Sequence, residues 1–153
     1  MKKKVFVIAD YFIAKNNKEK VGLTNKKLQK LLYYAQAWNL VLNGKRLFSD
    51  DIQAWVHGPA VPAVYEAFKG NGSANIALSV DEREFEDLTL KEKSILDDVW
   101  AVYGKYDADY LEVLSHSEEP WKMARNGMAP YEASKSIISE ASMKDFYGRQ
   151  ISK

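Results

Sequence analysis

The sequence has no cysteine and only two histidines in 153 residues. The first absence excludes disulfides, thiolate nucleophiles and cysteine-ligated zinc or iron–sulfur sites. The second leaves His57 and His116 as the whole supply of imidazole. Neither sign of charge is in surplus: 22 Lys and Arg against 21 Asp and Glu give a net charge of +1. A dedicated nucleic-acid-binding domain ordinarily carries a strong basic excess, so that class is not favoured. No apolar run reaches the length of a membrane span. The start, Met1-Lys2-Lys3-Lys4 followed by Val5-Phe6-Val7-Ile8, has the charge of a secretory leader. Its apolar run breaks at Asp10 and no small-residue cleavage site follows. It reads as an amphipathic helix with a basic start, and a cytoplasmic protein without membrane contact is expected. Apolar content of 46% is ample for one domain, residues 1–153, with its own core.

The pattern of that apolar content is mostly helical. Val5, Ile8, Ala9 and Phe12 recur at helical spacing until Asn16-Asn17. Thr24 is placed to cap a second helix that runs to Gly44. From Leu31 onward this helix is apolar nearly all round, with Gln29, Gln36 and Asn43 on one narrow stripe. A helix of that kind is enclosed by others. Leu47-Phe48, then Ile52, Ala54 and Val56, alternate as strands do, with Ser49-Asp50-Asp51 as the turn and Pro59 as the stop. Val61, Val64, Tyr65 and Phe68 mark a third helix with Pro62 in its first turn. Thr89 and Glu92 form a capping box ahead of a fourth, which ends at Gly104. Asp107 or Asp109 caps a fifth, Pro120 opens a sixth, and Ser139 caps the last, with Ile138 and Met143 as a hydrophobic staple. The expected fold is mostly α (α+β): a compact helical domain around a central buried helix, with a small two-stranded antiparallel β ribbon.

Candidate chemistry is sparse. His57 or His116 with a nearby carboxylate would supply a general base or part of a metal site. No HExxH or HxH spacing supports this, and a positional role beside Trp55 or Pro120-Trp121 is the preferred reading. There is no G-x-S-x-G elbow, and Gly70-Asn71-Gly72 lacks the lysine of a phosphate loop. Glu118-Glu119, Asp97-Asp98 and the run from Asp81 read as solvated faces. Lys26, Lys27 and Lys30, with Tyr33 beyond them, form a basic, aromatic edge of the kind that binds nucleic acid, but the lysines are few. Tryptophan and tyrosine are abundant, as in protein interfaces and cores alike. No cofactor, no metal and no enzyme activity are expected. An interaction module conflicts least with the residues.

Three segments occur in a fixed order: "KLQKLLYYAQAW" from Lys27, "AWVHGPAVPAVYEAF" from Ala54 and "LSHSEEPWKMAR" from Leu114. Together they resemble the SocA-like Panacea domain family, also known among phage-associated proteins, over nearly the whole chain. One departure is Ala60 after Pro59, where the family commonly has valine. The resemblance implies an antitoxin that neutralises, by direct contact, a protein toxin encoded by a neighbouring gene. It also implies, from one member, delivery of the toxin to the ClpXP protease. Many relatives carry an additional N-terminal DNA-binding or other domain, and a built-in operator-binding module is not expected here. Under the resemblance, Trp55, His57, Gly58, Pro59, His116, Pro120 and Trp121 are signatures of the fold. Gly58 permits a turn closed to other residues, Pro59 ends a strand, and Trp55 and Trp121 wedge between helices. The toxin-binding surface is expected on the partly polar face of the second helix, at Gln29, Lys30, Tyr33 and Gln36.

Overall fold

The computed structural model describes residues 2–151; Met1 and Ser152-Lys153, the two ends of the expected 1–153 domain, lie outside the described residues. Seven helices are present among them: α1 (Lys4–Glu19), α2 (Asn25–Asn43), α3 (Pro62–Phe68), α4 (Leu90–Tyr103), α5 (Ala108–Ser117), α6 (Glu119–Ala124) and α7 (Glu140–Ile151). Strands β1 (Gln53–Trp55) and β2 (Gly58–Ala60) pair antiparallel. This is the mostly helical architecture that the apolar spacing predicts. Helix α2 is its axis, packing against α1, α3, α4, α5, α7 and β2.

The helix boundaries follow local chemistry. The Thr24 hydroxyl accepts the Lys27 N–H at 3.2 Å to start α2, and Gly44 ends it in the left-handed region at φ 73°. The Thr89–Glu92 capping box is complete in both directions. Of the two aspartates considered for α5, Asp107 is the cap, accepting the Tyr110 N–H at 2.8 Å. Ser139 caps the last helix through the Ser142 N–H at 3.1 Å, and the staple residues Ile138 and Met143 are both buried. Helix α1 runs past Asn16-Asn17 to Glu19, because the Asn16 side chain caps the following turn by accepting the Gly22 N–H at 2.8 Å. The basic start is spent on ion pairs: Lys2 with Asp10 and Glu84, Lys3 with Asp50, and Lys4 with Glu92.

The ribbon differs from the expected one. Its strands flank Val56-His57 rather than Ser49-Asp50-Asp51, with Trp55 opposite Gly58 and Ala54 opposite Pro59. Leu47 and Phe48 are buried but make no ladder, because the side-chain Oε1 of Gln36 accepts their backbone N–H groups at 2.7 and 3.4 Å. Pro59 does not stop a strand; it lies inside β2. The register makes this harmless. Both backbone groups of Ala54 point away from Pro59, the N–H to the Ser136 carbonyl at 2.8 Å and the carbonyl to the Arg125 guanidinium at 3.0 Å. The position opposite Ala54 needs no donor, so proline costs nothing there.

A feature with no sequence signal covers the outer edge of β1. The segment around Ile137 bridges Gln53, and the Ile138 N–H reaches the Ile52 carbonyl at 2.8 Å. Arg125 holds this segment's approach. It is buried, and besides Ala54 it donates to the carbonyls of Ala129 at 3.1 Å, Pro130 at 3.4 Å and Glu132. A planar fork is suited to several carbonyls at once, whereas an ammonium is a single point. Arg125→Lys should therefore lower stability by about 1–3 kcal/mol by leaving buried carbonyls unpaired. Urea unfolding of both proteins checks this.

Candidate functional site

The polar stripe of α2 faces inward. Gln29, Lys30, Tyr33 and Gln36, the residues of the expected toxin-binding face, are each at most 2% exposed. The reason is that short connecting loops bring unpaired backbone groups against the central helix, and buried backbone groups require partners. Gln29 accepts the Val61 N–H at 2.8 Å and donates to the Asn25 side chain at 3.0 Å. Asn25 in turn donates to the Tyr65 carbonyl at 3.1 Å. Gln36 donates to the Phe48 carbonyl at 2.8 Å, and Asn39 to the Lys45 carbonyl at 2.8 Å. The Tyr33 hydroxyl bonds that of Tyr147 at 2.8 Å.

The lysines expected to form a basic edge are similarly occupied. Lys27 is buried and donates to the carbonyls of Gly22 at 2.8 Å and Gly104 at 2.5 Å. Lys26 pairs with Asp109 at 3.0 Å and with Glu112. Lys30 donates to the Pro59 carbonyl at 3.2 Å. Burial, reinforced by the nearby Lys26 charge, pushes its ammonium pKa down to about 7.

Gly58 explains the hairpin turn. Its φ is +109°, and a Cβ there would lie 2.5 Å from Lys30 Cε and 3.1 Å from Ser115 Oγ. The turn therefore rests directly on the lysine stem, with α5 on its other side.

The second signature cluster buttresses the same hairpin. The Trp121 indole donates to the Trp55 carbonyl at 2.8 Å. His116 stacks on one face of that indole at 3.8 Å, and the Arg125 guanidinium lies 4.9 Å from its ring centre. Burial lowers the His116 pKa, favouring a neutral ring in this stack. Pro120 is buried in the first turn of α6. Trp121 is buried. Trp55 is not: it is half-buried on the ribbon, with its ring edge-on to Tyr65 at 4.9 Å. His57 stands at the exposed hairpin tip, 3.2 Å from Glu112. Among the described residues no group of three His, Asp or Glu side chains is arranged to hold a metal.

Glu118 departs from its expected place on a solvated face. It is half-buried between α5 and α6 and accepts the hydroxyls of Tyr34 at 2.7 Å and Tyr147 at 2.9 Å. Burial raises its pKa, and the two tyrosines oppose that only in part.

Between the hairpin, the start of α2, α3, the start of α5 and residues 133–135 lies a groove of about 990 Å³. Gln29 and Lys30 contribute to it, as do Trp55, His57, Gly58 and Tyr65. Tyr33 and Gln36 do not. Thus the second signature segment builds the wall of the groove, and the first and third hold that wall in place.

The family model described as "Antitoxin SocA-like, Panacea domain" matches residues 28–122. The chain belongs to the SocA-like Panacea family. The matched Panacea residues run from the first turns of α2 into α6, taking in the hairpin and the His116–Trp121 stack. Helices α1 and α7 lie outside the matched residues but pack on α2. The chain is also 30% identical over 119 residues to "Antitoxin SocA" of Caulobacter vibrioides (strain NA1000 / CB15N). That similarity covers 70% of this chain and spans 62% of the relative's length. No solved structure matches this Panacea chain. No helix among the described residues is long and apolar enough to cross a membrane.

Two outcomes follow from the contact of Gly58 with Lys30. Gly58→Ala should cost about 2–4 kcal/mol, from a strained positive φ and from overlap with a buried stem; chemical denaturation measures it. Separately, the folded chain binds fewer protons at Lys30 than the unfolded chain between pH about 7 and the ordinary lysine value of 10.5. Stability therefore gains a rising contribution across that window and loses it as pH falls through about 7. Lys30→Met should flatten this rise, as read from urea midpoints at pH about 7 and about 9.5.

Proposed function

We propose that this chain is a non-enzymatic antitoxin that neutralises a protein toxin, encoded by a neighbouring gene, by direct contact. The observation that carries the reading is the family match over residues 28–122, whose signature side chains have internal tasks here. Trp121, His116 and Gly58 brace a hairpin, and none is arranged as a nucleophile, acid or metal ligand. The alternative of a nucleic-acid-binding regulator draws little support, because Lys26, Lys27 and Lys30 are engaged within the domain. The alternative of a histidine-dependent enzyme draws little either, since His116 is stacked on Trp121 and, among the described residues, His57 has Glu112 as its one side-chain hydrogen-bond partner.

Neutralisation has two forms that differ in the toxin's lifetime. Occlusion leaves the toxin as long-lived as before, whereas an adaptor to a protease such as ClpXP shortens its lifetime when the protease is present. The test is growth. Inducing the adjacent gene should arrest a host cell, and co-expressing this chain should restore growth, with the two proteins co-purifying. Arrest that persists despite full expression of this chain would overturn the antitoxin reading. A pulse-chase of the toxin in cells with and without ClpX then separates occlusion from delivery.

A further inference from the structure

The groove beside the hairpin has an apolar wall and exposed lysines on its rim. Trp55 and Tyr65 meet edge-on in its wall, and both are half-buried. Aromatic side chains left partly uncovered in a concavity are the usual anchors of a binding partner. Lysines 26, 30, 69 and 135 line the groove against only Asp107 and Asp109. Lys26 is already satisfied by Asp109 and Glu112. Among the described residues Lys69 has only Glu66, at 4.0 Å, with both side chains largely exposed. Lys30 and Lys135 make no ion pair among the described residues. Lys30 is the unusual member: it is buried, and a backbone carbonyl at 3.2 Å is its one hydrogen-bond partner among the described residues. At the exposed rim, Lys135 therefore has no carboxylate partner among the described residues and Lys69 only a distant one, next to a partly uncovered aromatic pair. A volume of about 990 Å³ is at the upper end of ligand pockets and admits several side chains of an extended segment.

Resting on the antitoxin reading, we propose that this groove is the docking site for a segment of the partner protein that carries an aromatic or aliphatic side chain beside an aspartate or glutamate. The apolar side chain covers Trp55 and Tyr65. The carboxylate is drawn by Lys69 and Lys135 at the rim. Charge complementarity selects an acidic segment over a basic one. The signature residues then have a common purpose: Gly58, Trp121 and Arg125 fix the hairpin as a preformed wall, which reduces the ordering cost of binding.

The test uses the whole chain and a phage-displayed library of random linear peptides. Selection should enrich sequences that pair an aromatic or aliphatic residue with Asp or Glu. A synthetic copy of the best sequence should bind the Lys69→Glu/Lys135→Glu double variant about ten-fold more weakly, since two exposed charges are reversed. Trp55→Ala should weaken it as well. Both lysines are exposed, so the double variant should keep the wild-type thermal melt, which excludes unfolding as the cause. Absence of enrichment, enrichment of basic sequences, or equal binding to wild type and the double variant would each overturn the proposal. The antitoxin reading fails separately. A toxin neutralised equally by wild type and the double variant removes the groove and leaves the antitoxin. A harmless neighbour alongside acidic peptides that need Lys69 and Lys135 removes the antitoxin and leaves the groove.

Discussion

The need to satisfy buried polar groups along α2 governs the rest of the structure. This helix lies at the centre yet carries Asn25, Lys27, Gln29, Lys30, Gln36 and Asn39 in buried positions. Each would be costly there without a partner. Each finds one in a neighbouring loop, strand or helix. The consequence is that the central helix sets where the chain may turn. Lys27 fixes the end of α4, Gln29 the entry to α3, Lys30 the second strand, and Gln36 and Asn39 the stretch after α2. The apolar contacts supply the bulk of the driving force, and these bonds supply the registration of the loops.

That arrangement also decides what was legible in the sequence. Helix positions were, because caps and apolar spacing are local: Thr24, Thr89 with Glu92, and Ser139 announce their helices before any packing is known. Long-range backbone satisfaction was not. A glutamine on a polar stripe looks the same whether it faces water or a loop, and nothing local says that Gln36 would take the N–H groups of Leu47 and Phe48 away from a strand. Similarly, proline ordinarily ends a ladder, and only the register opposite Ala54 shows that Pro59 sits where no donor is required.

The candidate site was legible in composition but not in geometry. Trp55, His57, Gly58, Pro59, His116, Pro120 and Trp121 stand out in the chain as an unusual set, and the structure gathers them around one hairpin. Their roles differ from what their types suggest. The histidine with the chemical freedom to act, His57, is at an exposed tip, while His116 is held flat against an indole. Glu118 carries the opposite lesson. One half of an acidic pair that reads as solvent-facing ties tyrosines of α2 and α7 to the junction of α5 and α6. Burial of such a group depends on which helices converge there, and sequence spacing does not encode that.

Bracing and presentation are assigned to different side chains around the hairpin. Gly58, Trp121 and Arg125 act from behind or beneath it, whereas His57, Lys69, Ser73 and Lys135 look outward and carry little of the fold. Changes among the outward group are therefore nearly free of folding cost, since exposed substitutions away from such anchors shift stability only slightly. The domain can in this way exchange the chemistry of its rim while its frame stays fixed. A lineage under pressure to follow a changing partner would need only one or two surface replacements at a time, with no compensating change in the interior.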